Sequence, residues 1–303
     1  MNFKPLTVSE FDTIKPFFNE QPYNLSVYSP ASLIAWSNRI FTNSYTIIDG
    51  ALFVAGEAEG HPGDRHLILP LSEGRVYSPE ELHRFAGELG FSQYWYAPGD
   101  YLESMDRSEV ESFFIPEEQP EFADYVYLTE DLARLKGNRF SKKRNLIHQF
   151  FREYIRKNRV AVEAIHEENA RECLEFLEIW CEEYDCDVDK DTSLSCEKEA
   201  LTTTLHHIDR FASRGISVRV DGVISALGIG SRLNRTTATL NFEKAFSKIK
   251  GLYQFLDNEC AKRLFEGFRY VNKESDMNLP NLAETKRSYN PIWRVKSFAL
   301  SLR

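Results

Sequence analysis

Apolar and polar positions follow two rhythms along this chain, one of helices and one of strands, and the order of elements they predict occurs twice. Residues 3–6 are extended. Phe11, Ile14, Phe17 and Phe18 recur at helical spacing after Ser9, which predicts a helix over 9–19 with Ser9 as its cap. Ser29-Pro30 opens a second helix with Leu33, Ile34 and Trp36 turned inward. Tyr45–Ile48 and Leu52–Ala55 flank Asp49-Gly50, the signature of a tight hairpin, and Arg65–Leu71 extends the meander. Ser78-Pro79-Glu80-Glu81 combines a cap, a proline at the first helical position and an acid three residues after the cap, so a helix runs from there to Gly90. Gln93–Ala97 is a strand. Ile115–Glu121, with Pro116 and Pro120 among acids, reads as a turn or exposed connection. Tyr125–Leu128 reads as a closing strand.

Lys136–Arg159 follows, with nine Lys or Arg against the single acid Glu153. Leu146, Ile147, Phe150, Phe151, Tyr154 and Ile155 fall at helical spacing, so this is an amphipathic basic helix centred on about 140–157. Two readings stand side by side. It is a connecting helix with a solvated face, or Lys142, Lys143, Arg144 and Asn145 near its start contact phosphate, where backbone N–H groups also favour anions. Glu163–Asp191 then carries twelve acids against Arg171 and Lys190, with Cys173, Leu174, Leu177, Trp180 and Cys181 as a buried stripe. A solvated acidic face explains the acids best. Asp185, Asp187, Asp189 and Asp191 imitate the start of a calcium loop, but the sixth position lacks Gly and the twelfth is Cys196.

The second half repeats the first. A helix over Cys196–Ala212 precedes the hairpin Ile216–Val220, Asp221-Gly222, Val223–Gly230, then a strand at Thr236–Phe242. Gly251 opens a helix that Gly267 ends, and Phe268–Asn272 is a strand. Leu282, Thr285, Lys286 and Tyr289 share one face of a short helix stopped before Pro291, and Trp293–Leu300 closes the chain as a strand. Each half runs helix, helix, Asp-Gly hairpin, third strand, helix, strand, a repeat of structure without a repeat of sequence. The expected boundary lies at 130, giving units of 1–130 and 131–303.

The chain has 303 residues and is 42% hydrophobic, enough for two packed cores. A net charge of −9 argues against nucleic-acid binding by the whole surface but leaves the basic helix as a local patch. No apolar run approaches 18 residues, and the start lacks the basic-then-apolar pattern of a leader, so a cytoplasmic protein is expected. Five cysteines without a CxxC pair fit reduced thiols. Cys181, Cys186 and the His206–His207 pair do not have the spacing of a zinc site, and no metal is expected.

The element order resembles the acyltransferase fold of the GNAT superfamily, so the expected class is α+β: two tandem GNAT-like domains with mixed, mostly antiparallel central sheets. Three stretches carry a closer resemblance: KGNRFSKKRNLIHQF at 136–150, NFEKAFSKIKGLYQFLDNECA at 241–261, and YVNKESDMNLPNLAETKRSYNPIW at 270–293. In the last, Lys286, Tyr289, Pro291 and Trp293 match a K-x-x-[FY]-x-P-x-W pattern. Together they resemble the DUF2156 family, which is similar to the C-terminal domain of phosphatidylglycerol lysyltransferase.

That resemblance implies transfer of an aminoacyl group from tRNA to a lipid head group, a peptide or a small amine. Such a step needs a held ester, acids for the amine and stabilisation of an oxyanion. By resemblance Lys286 stabilises charge on the ester or the terminal phosphate. Glu243, Glu274 and Asp276 bind an ammonium or take a proton, and Tyr289 donates a hydrogen bond. Lys244 and Asn272, at strand ends beside them, join the substrate-binding set. Lys248, Lys250 and Gly251 sit where GNAT acetyltransferases cradle the coenzyme A pyrophosphate, which leaves an acyl-coenzyme A N-acyltransferase as the alternative. A non-catalytic module on the same scaffold is the third reading.

Overall fold

Hairpin turns at Asp49-Gly50 and Asp221-Gly222 build two similar sheets, one in each half of the chain; all four turn residues take positive φ. The computed structural model describes residues 2–184 and 192–303. In chain order the first half contains β1 (Lys4–Pro5), α1 (Phe11–Ile14), α2 (Pro30–Ala35), β2 (Phe41–Ile48), β3 (Ala51–Ala58), β4 (His61–Leu67), α3 (Pro79–Leu89), β5 (Gln93–Pro98), α4 (Gly99–Ser104), α5 (Arg107–Phe113) and β6 (Phe114–Glu118). The second contains β7 (Asp124–Leu128), α6 (Thr129–Arg134), α7 (Ser141–Glu153), β8 (Val160–Ile165), α8 (Ala170–Tyr184), α9 (Thr192–His206), β9 (Arg214–Val220), β10 (Val223–Arg232), β11 (Thr237–Ala245), α10 (Leu252–Arg263), β12 (Tyr270–Asn272), α11 (Pro280–Arg287), β13 (Trp293–Val295) and β14 (Ser297–Leu302). The fold is α+β, with two mostly antiparallel seven-stranded sheets.

The strand order is β1-β2-β3-β4-β5-β14-β6 in the first sheet and β13-β7-β12-β11-β10-β9-β8 in the second. In both, an antiparallel meander passes through a helix to a parallel neighbour, and that parallel pairing is brief. β4 and β5 meet only at Leu67 and Tyr94, and β11 and β12 only over Thr237–Thr239 and Tyr270–Asn272. The strands then part and leave a notch. The same splay is thus present in both modules.

The sheets exchange strands. β7 precedes residue 130 yet pairs with β12 and β13, and β14 at the end of the chain lies between β5 and β6. A cut at 130 therefore takes one strand from each sheet. Lys296, between β13 and β14, is where the last segment passes from one sheet to the other. Ile115–Glu121 is not a plain connection: β6 occupies 114–118 as the edge strand beside β14, a place where Pro116 is tolerated. Two short helices, α4 and α5, fill 99–113, where the sequence pattern gave no element. The first helix breaks into a 3-10 turn, α1 and a second 3-10 turn; Thr7 precedes it, and Ser9 shares a hydroxyl hydrogen bond with Thr7 rather than capping it. The predicted capping box of α3 is present, with Gly90 left-handed at its end. Asp185, Cys186, Asp187, Asp189 and Asp191 lie outside the described residues.

One core fills the first sheet and borrows Val126, Leu233 and Val295 from elements of the second. A second lies under α10, with Phe150 of α7 against Phe255. The third joins α8, α9 and β10 to Ala35 of α2 and to Trp36 just after it. The seam between modules is closed by buried amides: Gln21 donates to the Leu233 carbonyl at 2.8 Å, Asn234 to Tyr23 at 3.2 Å, and Asn272 to Asn24 at 2.8 Å. Buried amides with both ends satisfied fix register as well as adding stability.

Candidate functional site

β12 stops at Asn272, and the chain turns through a loop, 273–279, that faces the first module. Glu274, Met277 and Asn278 in it take left-handed φ of 58°, 49° and 57°, a costly set for residues with side chains. Four anchors hold it. The Asn272 side chain accepts the Glu274 N–H at 2.6 Å. Asp276 accepts the Asn278 N–H at 3.0 Å and the Tyr125 hydroxyl at 2.5 Å. Lys286, on α11, donates its ammonium to the main-chain carbonyls of Lys273, Glu274 and Ser275. The Tyr125 N–H of β7 donates to the Glu274 carbonyl at 3.2 Å and adds a fourth tie.

The loop forms one wall of a cavity of about 290 Å³ between the modules. The opposite wall is the notch of the first sheet, where His66, Ile68 and Tyr96 line the gap between β4 and β5, with Leu33 of α2 and Trp36 just after it alongside. Glu274, Ser275 and Met277 come from the loop, and Asp124 from the start of β7. Most of the lining is apolar; the acids are on the loop side.

Charge is concentrated at that acidic wall. Asp124 is buried and accepts the Ser26 N–H at 2.6 Å and the Asn272 amide at 2.8 Å. Burial still pushes its carboxyl above the ordinary range. Glu274 is raised further, first by burial and then by the Asp124 charge. The Lys286 ammonium is lowered, chiefly by burial, although Glu274 and Asp124 oppose that shift. A cation entering the cavity would find two carboxyls whose ionisation it favours.

The other sequence-predicted residues divide. Glu243 and Lys273 form an ion pair at 3.2 Å, and Lys273 also meets Asp257 at 2.7 Å, in the notch of the second sheet. Burial raises the Glu243 carboxyl and Lys273 opposes it. Tyr289 is buried between two ammonium groups, Lys143 at 3.8 Å and Lys273 at 4.8 Å from its ring. Thus Glu243 and Tyr289 belong to a cluster that fills the second notch, apart from the cavity lining. Asp276 holds the loop. Lys244 is buried, paired with Glu197 at 2.6 Å and seated over the Trp180 ring, and Asn272 is a buried anchor.

At the start of α7, Lys143 donates to Ser288 at 2.7 Å and Arg144 to the Leu135 and Gly137 carbonyls, whereas Lys142 and Asn145 face solvent. Gly251 has φ +83°, and a Cβ there would collide with the Leu146 carbonyl oxygen. Its role in this structure is close packing of α10 on α7. Lys248 pairs with Glu183, and Lys250 is exposed.

Several residues of the site escaped the sequence reading. Asn241, at a bulge of β11 opposite Ile229–Gly230, accepts from Ser231 and donates to Ser32 of the first module and to Glu274 at 3.4 Å. Asp124 was a visible signal, an acid at the head of the apolar run DYVYL. His66 was another, at the head of HLILPL. Among the described residues no cluster of three metal-binding side chains occurs, and no helix is long and apolar enough to cross a membrane.

Two splayed α+β modules of like topology, with a cavity between them walled by a lysine-held acidic loop, define the scaffold. The chain belongs to the family described as phosphatidylglycerol lysyltransferase, C-terminal, whose model matches residues 108–300. A conserved Bacteroides thetaiotaomicron protein of unknown function has 27% identity and a TM-score of 0.86, with both chains fully covered. The C-terminal DUF2156 domain of a protein designated a lysylphosphatidylglycerol synthetase, from Agrobacterium fabrum, has a TM-score of 0.65 at 11% identity. There the match covers 96% of this chain and 91% of that one, and it speaks for the fold. No curated protein matches the sequence.

Proposed function

We propose that this chain transfers an aminoacyl group from a charged tRNA to a hydroxyl or amine acceptor, with the aminoacyl group held in the cavity between the modules. The acceptor is a lipid head group, a peptide or a small amine. The observation that carries the reading is the position of Glu274. Its carboxyl lines the cavity beside Asp124, on a loop whose carbonyls Lys286 holds. Burial and the Asp124 charge raise this carboxyl to about 8, so an arriving α-ammonium favours its ionisation, and once ionised it is basic enough to take the acceptor's proton. In the step, the acceptor oxygen or nitrogen bonds to the ester carbonyl carbon. Its proton passes to the Glu274 carboxylate, and the carbonyl's bond to the ribose oxygen breaks, releasing a ribose hydroxyl that takes a proton back. Lys286 acts by positioning Glu274. The exposed cations of the basic helix, Lys142, Arg152 and Arg156, supply phosphate contacts outside the cavity. Charged tRNA places the reaction in the cytoplasm.

The coenzyme A alternative has weaker support, because Leu146 packs on the backbone at Gly251, where the pyrophosphate cradle was expected. The deciding experiment mixes purified protein with a pool of tRNAs charged with labelled amino acids and follows loss of the ester. Release that falls at least about 100-fold in Glu274→Gln supports the reading. Charged tRNA left intact by the native protein, with a range of hydroxyl and amine acceptors present, ends it.

A further inference from the structure

A second cavity, of about 340 Å³, lies between the first helix and the segment that follows α10, and it shares no lining residue with the first. The two are opposite in charge. Among the described residues, the first cavity is lined by Asp124 and Glu274 and by no Lys or Arg. The second is lined by Lys15, Arg214 and Arg232 and by no Asp or Glu. Strand register brings two of these cations together. Arg214 stands opposite Gly230 in the β9–β10 pair, and Arg232 lies two residues beyond Gly230 on the same strand. Residues so related share one face of a sheet and are near neighbours. That face is the one that meets the cavity: Ala238, opposite Arg232, lines it, and so does Phe265, whose ring a Cβ on Gly230 would strike. Lys15 approaches from the first module, with its ammonium 5.6 Å from the Phe11 ring in the cavity wall.

These charges are not used up within the fold. Lys15 and Arg214 make no ion pair among the described residues. Arg232 donates to the carbonyls of Asn234 at 3.3 Å and Asn19 at 3.0 Å, which fixes its guanidinium at the lip without neutralising it. Asp12, the acid next to Phe11, is paired with Arg210. Between the cations the floor is apolar, formed by Phe11, Phe18, Pro30, Phe211, Leu264 and Phe265.

We infer that this second cavity binds a carboxylate carried on a single apolar chain or ring, with the carboxylate at Arg214, Arg232 and Lys15 and the apolar body against the phenylalanine floor. Guanidinium forks suit a carboxylate, and an exposed cation without an internal partner has a charge to offer. A singly charged head also costs less than a phosphate dianion to bring against an apolar surface. The inference stands whether or not the chain is a transferase, because the two cavities have no lining residue in common.

The test is isothermal titration of the full chain with octanoate, octyl phosphate, octylammonium, octanol, butyrate and inorganic phosphate. Octanoate binds, and from butyrate to octanoate each added methylene tightens Kd about 3–4-fold. Octylammonium and octanol bind at least about tenfold more weakly than octanoate, and inorganic phosphate does not bind. Arg214→Gln, which removes an exposed side chain with no internal partner, keeps the native Tm and weakens octanoate about tenfold. Glu274→Gln leaves octanoate binding unchanged, which separates this site from the first cavity. No heat of binding at millimolar octanoate overturns the inference. Octylammonium equal to octanoate overturns it too, as does an unaltered octanoate Kd in Arg214→Gln. Octyl phosphate binding tenfold tighter than octanoate overturns the carboxylate assignment. Ester loss from charged tRNA is read separately, so failure of either result leaves the other standing.

Discussion

The ammonium of Lys286 donates to the Ser275 carbonyl at 2.6 Å, and through it the last helix fixes the loop that walls the cavity. The same ammonium reaches Glu274 O at 3.1 Å, so one cation holds consecutive carbonyls of a segment whose left-handed residues would otherwise relax. Replacing Lys286 by Met leaves the Lys273 and Ser275 carbonyls without a donor and the Glu274 carbonyl with the Tyr125 N–H alone. The expected loss is about 1–3 kcal/mol in urea denaturation, together with loss of ester release, because Glu274 is no longer placed. Lys286→Arg should not restore activity, since a planar fork cannot serve three carbonyls arranged around a point charge. Full activity in Lys286→Met would remove the positioning role.

Gly251 offers a test of packing independent of chemistry. Its φ of +83° is unfavourable for a side chain, and the Cβ of an alanine would strike the Leu146 carbonyl. Backbone strain and collision act together, so Gly251→Ala should cost at least about 2 kcal/mol. Lys250→Ala, exposed and one residue away, should change stability by less than about 0.5 kcal/mol. Equal stability of the two variants would show that α7 and α10 are not held at this distance by the missing side chain.

The hairpins, the α3 capping box and the basic helix were legible because each depends on residues close in sequence. Asp49-Gly50 and Asp221-Gly222 state a turn by themselves, and Ser78 with Glu81 states a helix start. The exchange of β7 and β14 was not legible, because which sheet a strand joins is decided by partners more than a hundred residues away. Pro116 hid β6 for a related reason: a proline argues against a strand unless the strand is at an edge. Of the residues expected at the site, Glu274 lines the cavity, whereas Lys286, expected to face the substrate, faces the carbonyls of the loop. Asn241 could not be found, since its importance comes from a bulge that only pairing creates. Glu243 and Tyr289 sat in a polar run that looked continuous with the site, whereas the splay of the second sheet puts them in a separate buried cluster.

His66 makes a pH prediction with a definite sign. Its folded pKa of about 4 lies below the ordinary value of 6.5, so the native state binds fewer protons than the unfolded chain. Stability from this group is complete above about pH 6.5 and is lost as pH falls towards 4, by up to about 3 kcal/mol. His66→Phe removes the titration. Its urea midpoint should therefore fall less than that of the native protein between pH 6.5 and 4. Parallel pH profiles for the two proteins would mean that the histidine is already charged in the fold.

The basic helix yields a prediction in salt rather than in rate. Lys142 and Arg152 of α7 and Arg156 just beyond its end are exposed, whereas Lys143 and Arg144 spend their donors on Ser288, Leu135 and Gly137. Only the exposed group is free to release counterions from a phosphate backbone. If tRNA lies along this face, log Kd plotted against log salt should have a slope that drops by about 1 for each exposed cation replaced by Gln. Arg144→Gln should leave the slope unaltered and lower stability instead, because two carbonyls at the head of α7 lose their donor. A slope that does not respond to Lys142→Gln and Arg152→Gln together would place the tRNA contact on another face and leave α7 as a connecting helix with a solvated surface.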